Sequence, residues 1–100
     1  QFARGELNYY VVIDANDPDY FRLLLPGIWR IESDAERSKV LAVCDRTSRV
    51  TKVAKAYTSG DFASISVEMM LPGVDLAAVF PRSLEILDAA LATFDEAMRE

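Results

Sequence analysis

Histidine is absent from this 100-residue chain. Its absence removes the commonest general base and metal ligand, which excludes imidazole-based catalytic triads and zinc sites. The single cysteine, Cys44, leaves no internal disulfide and agrees with a reducing compartment. The four glycines are isolated from one another, so there is no glycine-rich loop to bind phosphate. Because no catalytic signature remains, we expect a binding protein rather than an enzyme.

Positive charge and long apolar runs are also scarce. Eleven basic against sixteen acidic side chains give a net charge of −5, which repels nucleic-acid phosphates and anionic lipid headgroups. No apolar run approaches the roughly 20 residues of a membrane span, and no signal peptide opens the chain. We therefore expect no direct contact with nucleic acid or membrane, and the cytoplasm is the simplest location. A 51% apolar composition is typical of a single globular domain.

The last quarter of the chain has the strongest periodicity, which predicts an amphipathic helix over residues 75–98. Mostly apolar residues recur at three- and four-residue steps and share one side of it: Leu76, Val79, Phe80, Ser83, Leu84, Leu87, Ala90, Leu91, Phe94, Ala97 and Met98. Asp75 is the expected N-cap, and Pro81 is expected to kink the helix or to separate a short first turn from it. Such a helix must cover an apolar surface supplied by the rest of the chain.

Alternating apolar and polar residues predict two strands ahead of the first helix. A tight turn at Arg4-Gly5 precedes the first strand, residues 7–14. The second strand, interrupted by Pro26-Gly27, has three apolar side chains on one side: Phe21, Leu23 and Leu25. Residues 14–19 begin like a calcium-binding loop but lack its later glycine and glutamate, so an Asx-rich turn is the favoured interpretation.

A capping box predicts where the first helix begins. Ser33 and Glu36 have the S-x-x-E spacing, so the helix should start at Asp34 and end near Thr47 or Ser48. One side of this helix carries a narrow apolar stripe: Arg37, Val40, Leu41, Cys44 and Thr47. Cys44 is therefore interpreted as a small core residue rather than a nucleophile.

The clearest hairpin joins residues 51–57 to residues 62–71 through a turn that contains Gly60. With Ser59-Gly60 as a two-residue loop, five cross-strand pairs are expected: Ala56 with Ala63, Ala54 with Ile65, Lys52 with Val67, Tyr57 with Phe62, and Lys55 with Ser64. The alanines on one face suit close approach by helices, whereas the opposite face is at least partly wet.

The predicted order is thus strand, strand, helix, strand, strand, helix. Short turns can connect each pair of strands, so we expect a mainly antiparallel sheet with both helices on one face. The fold class is α+β, a two-layer sandwich formed by one domain over residues 1–100.

Two helices on the alanine face leave the other face of the predicted sheet uncovered. Tyr57, Phe62 and Val53 are expected on that uncovered face, where they must meet water or another chain. Lys55 on the same face is a candidate partner contact. Trp29, next to the Pro-Gly break, is either a core residue or an exposed anchor. We predict that these five residues contact a partner and that the chain forms a homodimer through its sheet.

Three segments of the chain resemble the YbjN family of bacterial sensory transduction regulators, whose fold is similar to that of type III secretion chaperones. They are YYVVID with the following NDPDYF and Leu25-Pro26, VTKVAKAY at residues 50–57 after a helix, and SLEILDAA at residues 83–90. The resemblance implies a non-enzymatic module that holds protein partners, often as a dimer, with no catalytic residue. It also implies an N-terminal helix, which residues 1–100 lack. It further implies a strand ahead of the one predicted at residues 7–14, and Phe2-Ala3 is the expected remnant of that strand.

The leading functional expectation is a cytoplasmic protein-binding module, chaperone-like or regulatory, without cofactor or metal. A small-ligand-binding or enzymatic domain with an unrecognised site is the alternative, and a structural or assembly subunit is the third. Co-purification separates the first two, since a reproducible protein partner favours one and a bound metabolite the other.

Overall fold

The computed structural model describes residues 2–4, 7–73 and 75–100. Seven elements follow one another: β1 (Phe2–Arg4), β2 (Leu7–Asp14), β3 (Asp17–Arg30), α1 (Asp34–Val50), β4 (Ala54–Ser59), β5 (Phe62–Met70) and α2 (Leu76–Met98). The strands form one antiparallel sheet in the order β1-β2-β3-β5-β4, and both helices pack on one of its faces. The predicted α+β two-layer sandwich is confirmed. The turn predicted at Arg4-Gly5 extends outside the described residues.

The sheet has one more strand than the predicted order, because Phe2–Arg4 pairs with β2 as edge strand β1. The Phe2 ring stacks on the Tyr9 ring with their centroids 5.2 Å apart. Arg4 Nη1 forms an ion pair with Asp88 Oδ2 of α2 at 2.8 Å, and the Tyr9 hydroxyl donates to Asp88 Oδ1 at 3.0 Å. The stacking on β2 and the ion pair with α2 hold the short edge strand in place.

Strand β3 is longer than predicted, since it continues through Pro26-Gly27 to Arg30. Leu25 pairs with Ile65 of β5, and Trp29 pairs with Ala63, so two extra residues of β3 bulge out of the ladder. Gly27 has a φ of +65, a conformation that glycine adopts without steric cost. The Pro-Gly pair therefore bends the strand instead of ending it.

The connection between β2 and β3 is an Asx turn, as favoured from the sequence. Asp14 pairs with Asp17 across a two-residue turn, and the Asn16 N–H donates to Asp14 Oδ1 at 2.8 Å. Asp14 Oδ1 is therefore hydrogen-bonded to the backbone of the turn.

Helix α1 begins with the predicted cap, although the glutamate bonds one residue away from the usual donor. Ser33 Oγ accepts from the Glu36 N–H at 3.1 Å, and Glu36 Oε1 accepts from the Glu32 N–H at 2.7 Å. The helix continues to Val50, beyond the predicted end. Its buried residues are Val40, Val43, Cys44 and Thr47. The placement of Leu41 in the stripe is wrong: it lies one residue off this three-four spacing and is 50% exposed.

Helix α2 runs without a break through Pro81, so the separate first turn considered from the sequence does not form. Asp75 caps it as predicted, accepting from the Ala77 N–H at 3.0 Å. Proline costs this helix one backbone hydrogen bond, and packing of its apolar side against the sheet outweighs that loss. The buried residues all belong to the predicted stripe: Ser83, Leu87, Ala90, Phe94, Ala97 and Met98.

The hairpin of β4 and β5 forms with a register two residues away from the predicted one. The turn is Gly60-Asp61, since Ser59 extends β4 and pairs with Phe62. The five expected pairs are therefore wrong, and the observed ones include Ala54 with Val67, Lys55 with Ser66, Ala56 with Ile65 and Tyr57 with Ser64. A shift of two residues keeps every side chain on its predicted face. The alanine face is accordingly buried under the helices.

Replacing Gly60 with Val tests the hairpin turn. Gly60 has a φ of +58, and a Cβ there would meet no atom of the described residues within 4 Å, so the cost is backbone strain. We expect Gly60→Val to lower the free energy of unfolding by about 1–2 kcal/mol in urea denaturation. Ser59→Val, at the neighbouring strand position, is the control and should change it by less than about 0.5 kcal/mol. Equal midpoints for the two variants would refute the turn.

Helix α1 occupies the outer edge of β4. Ser48 Oγ accepts from the Ala56 N–H at 2.8 Å and donates to the Ala56 carbonyl oxygen at 3.2 Å. The Ala54 N–H donates to the Lys52 carbonyl oxygen at 2.7 Å. These backbone groups are thus unavailable to another strand.

The core lies between the helices and the alanine face of the sheet. Cys44 is buried in it, and burial raises the pKa of its thiol to about 11. The thiol therefore stays protonated at neutral pH, as expected of a core cysteine.

Candidate functional site

The face of the sheet opposite the helices carries no covering layer within the described part of the chain. Strand pairing places on it Tyr10, Val12, Tyr20, Arg22, Leu24, Lys55, Tyr57, Phe62, Ser64, Ser66, Glu68 and Met70. We call this surface the open face. Phe62 is 44% exposed and Met70 57%, whereas Tyr10, Val12 and Leu24 are half-buried.

Glu68 lies at the centre of the open face and binds several donors. Lys55 Nζ lies 2.7 Å from Glu68 Oε1, and Arg22 Nε lies 3.5 Å from the same oxygen. The Tyr20 hydroxyl donates to Glu68 Oε2 at 3.1 Å, and Ser66 Oγ donates to Oε1 at 3.3 Å. The hydrogen bond from Lys55 most of all, then the hydrogen bond from Tyr20 and the charges of Lys55 and Arg22, lower the pKa of Glu68. The carboxylate is therefore charged at neutral pH.

Tyr57 completes this polar network. Arg22 Nη2 donates a hydrogen bond to the Tyr57 hydroxyl. The Arg22 guanidinium carbon and Lys55 Nζ lie 5.8 Å and 5.6 Å from the centroid of the Tyr57 ring, within the range of cation–π attraction. Two cations thus share one carboxylate, which leaves the network with a net charge of +1 in a chain of −5.

The structure brings together three of the five predicted partner contacts. Tyr57, Lys55 and Phe62 lie on the open face, as expected. Trp29 lies on the helix side, where its ring centroid is 6.3 Å from that of Phe94, so the core interpretation is the one observed. The placement of Val53 on the sheet is wrong, because β4 begins only at Ala54 and Val53 precedes it in a bend.

The sequence did not predict the contacts of Arg22 and Tyr20 with Glu68. Alternation along β3 assigns their side of the strand, but it does not show that β3 pairs with β5, which follows 32 residues later. A run of polar and aromatic residues at every second position in both strands is the only local hint.

A shallow depression of about 330 Å³ lies at one end of the open face, between Pro26, Gly27, Ser59, Phe62 and Ser64. The bulge in β3 forms one wall of it, held by a hydrogen bond of 3.3 Å from the Gly27 N–H to Ser64 Oγ. The depression is a recess next to the Phe62 ring with room for an apolar side chain.

A second concavity, the α1–α2 groove, lies between the end of α1 and the outer side of α2. Its volume is about 360 Å³, and its walls include Val50, Lys52, Arg82, Glu85, Ile86 and Ala89. It lies on the helix side of the molecule, away from the open face.

The backbone beside this groove is strained at Val53. Among the described residues, Val53 is the one non-glycine residue with a positive φ, at 64°. The Ala54 N–H donates to the Lys52 carbonyl oxygen across it, which is the pattern of the rare γ-turn with positive φ. Such strain is greatest for a β-branched residue.

Val53→Gly should relieve that strain. The Val53 side chain is 54% exposed and gives up little packing, whereas glycine adopts a positive φ freely. We expect the free energy of unfolding in urea to rise by about 0.5–1 kcal/mol. Val50→Gly, at a similarly exposed position within α1, is the control and should lower it by about as much. A destabilised Val53→Gly variant would contradict the strain.

The described residues contain no group of three or more Cys, Asp or Glu positioned to bind a metal ion. Neither helix, over the residues described, is long and apolar enough to cross a membrane.

Comparison with known proteins identifies no relative of this chain. The chain matches no protein-family model, and no curated protein or solved structure matches it significantly. It is an α+β two-layer sandwich with one face of its antiparallel sheet open. A fold does not by itself imply a function, so the open face and the groove are the features of this chain that bear on its function.

Proposed function

We propose that this chain is a non-enzymatic protein-binding module, chaperone-like or regulatory, that acts in the cytoplasm and binds a second copy of itself through the open face. The observation that carries the proposal is a sheet face that no described part of the chain covers, on which Phe62 and Met70 are exposed. The resemblance of three segments to the YbjN family, and through it to type III secretion chaperones, supports a partner-holding role.

The area of the open face suits a dimer of modest affinity. Strands about 4.8 Å apart, with a rise of about 3.3 Å per residue, give four strands of eight residues an area of roughly 500 Å². Two such faces bury roughly 1,000 Å² in total, which is near the lower limit for a specific interface. A dissociation constant in the micromolar range is therefore expected.

Charge opposes this pairing weakly, so apolar contacts must supply the affinity. Each polar network carries a net charge of +1, and like charges at a wet interface repel by roughly 1 kcal/mol or less. Salt screens that repulsion. Raising the salt concentration should consequently leave the dimer intact or strengthen it slightly.

The test is sedimentation equilibrium of the wild type and of the double variant Tyr57→Glu, Phe62→Lys. The wild type should self-associate at micromolar to millimolar concentration. The double variant should remain monomeric, because it places two charged side chains at interface positions that are desolvated when the dimer forms. Its far-UV circular dichroism should match that of the wild type, since the side chains lie outside the core.

Leu41→Lys with Val50→Glu is the matched control, because it also introduces two charges at exposed apolar positions, but on α1. This variant should dimerise like the wild type. A wild type that is monomeric at about millimolar concentration would refute the proposed pairing, and so would dimerisation lost only in the α1 variant.

A further inference from the structure

We propose that the α1–α2 groove binds a small organic carboxylate with an apolar body. This site is separate from the open face, and it goes beyond the proposed role in protein binding. Its volume of about 360 Å³ lies within the range of small-molecule sites.

Apolar side chains supply one part of the groove. Val50 is 56% exposed, Ala89 is exposed, and Ile86 is half-buried because part of its side chain packs against the core. They form a concave surface that a compact hydrocarbon chain or ring would remove from water. A fully polar ligand would leave this surface wet.

The charges of the groove favour an anion. Among the described residues, Lys52 makes no ion pair, and Arg82 Nη1 pairs with Glu85 Oε2 alone, at 3.0 Å. The groove therefore has one positive charge in excess, within a chain of net charge −5. The last carbonyls of α1 carry partial negative charge, so the carboxylate is expected beside Lys52 and Arg82 rather than at the end of α1.

The strained turn at Val53 is an independent indication. Residues are held in sparsely populated backbone conformations mainly at functional sites, where the strain positions a neighbouring group. Here the strained residue directly follows Lys52, and the hydrogen bond across Val53 involves the Lys52 carbonyl oxygen. The turn thus fixes the backbone that presents Lys52 to the groove.

The experiment is an NMR titration of the ¹⁵N-labelled 100-residue protein with 4-phenylbutyrate and, separately, with its neutral isostere 4-phenyl-1-butanol. Saturable shifts are expected at the amides of Thr51, Lys52, Ile86 and Ala89. The carboxylate should bind at least about fivefold more tightly than the alcohol, because only the carboxylate pairs with the excess positive charge. Lys52→Glu should weaken the carboxylate about tenfold and leave the alcohol unchanged.

Arg30→Glu is the matched charge control. Arg30 is an exposed cation at the far end of β3, and its reversal should leave both affinities unchanged. Ala89→Phe fills the groove from an exposed helix position and should abolish binding of both probes, which keeps the proposal testable even if Lys52→Glu does not fold. A dispersed spectrum shows that each variant is folded.

Three outcomes would overturn the proposal. One is no saturable shift in the groove at about 10 mM 4-phenylbutyrate, including the case in which shifts occur on the open face alone. Another is equal affinity for the acid and the alcohol. The third is that the groove binds a peptide with a free C-terminal carboxylate but does not bind 4-phenylbutyrate. None of these bears on dimerisation through the open face, so the two proposals fail independently.

Discussion

Replacing Phe94 with Ala is expected to lower the free energy of unfolding by about 3–5 kcal/mol, as for other fully buried phenylalanines. Phe94 has no exposed surface and projects from α2 towards the sheet, where its ring lies against that of Trp29. Truncation removes its transfer free energy and leaves a cavity beneath Trp29, at the point where the β3 bulge limits collapse of the backbone. Urea denaturation followed by Trp29 fluorescence measures both the loss of stability and the change around the indole.

Phe62→Ala is the matched control for this prediction, because it deletes the same ring from an exposed position. It should cost less than about 1 kcal/mol under conditions in which the chain is monomeric. Similar losses in the two variants would contradict the packing of α2 on the sheet. A smaller loss of stability for Phe94→Ala than for Phe62→Ala would mean that the buried and exposed faces of the sheet are assigned the wrong way round.

Reversing the charge of Glu68 should have the second-largest effect. Glu68→Lys places a third cation beside Arg22 and Lys55 and removes the acceptor of the Tyr20 hydroxyl. Juxtaposed like charges and unpaired polar groups on a partly buried surface should together cost about 2–3 kcal/mol. Glu85→Lys is the control and should cost less than about 0.5 kcal/mol, since within the described part of the chain Glu85 forms only an exposed pair with Arg82.

The pH dependence of Glu68→Gln gives this prediction a second readout. Because the pKa of Glu68 is lowered in the folded state, chiefly by the hydrogen bond from Lys55, its charged form stabilises the fold. That stabilisation is fully present above the pKa of an unfolded glutamate, about 4.3, and is lost as the pH falls through the lower folded value. The stability difference between wild type and Glu68→Gln should be constant at neutral pH and shrink below about pH 4. A difference that grows on acidification would contradict the network.

Sequence patterns predicted most of the fold because most of it is set by local periodicity. The caps at Ser33 and Asp75 and the buried stripe of α2 all follow from residues within a few positions of one another. The register of the β4–β5 hairpin could not be predicted in this way, because Gly60 fits either central position of a two-residue turn. The continuation of β3 through Pro26-Gly27 was missed because bulge formation depends on the partner strand.

The sequence predicted which face of the sheet carries the candidate site, but not which residues of the other strands lie beside it. Once both helices were assigned to the alanine side, Tyr57, Lys55 and Phe62 had to lie opposite them, and they do. Their neighbours Arg22 and Tyr20 come from β3, whose pairing with β5 is long-range and is not determined by the local pattern of either strand. Val53 continued the alternation of β4 in the sequence, but the strained turn takes it out of the sheet.

Ser48 also makes one edge of the sheet less open to the addition of further strands. An amyloid-like fibril grows without end because each sheet accepts a new strand at both of its edges. At β4 one hydroxyl already satisfies the N–H and the carbonyl of Ala56, so a copy arriving there finds no backbone partner at that residue. Edge addition is thereby hindered at Ala56, on the side of the sheet that β4 borders.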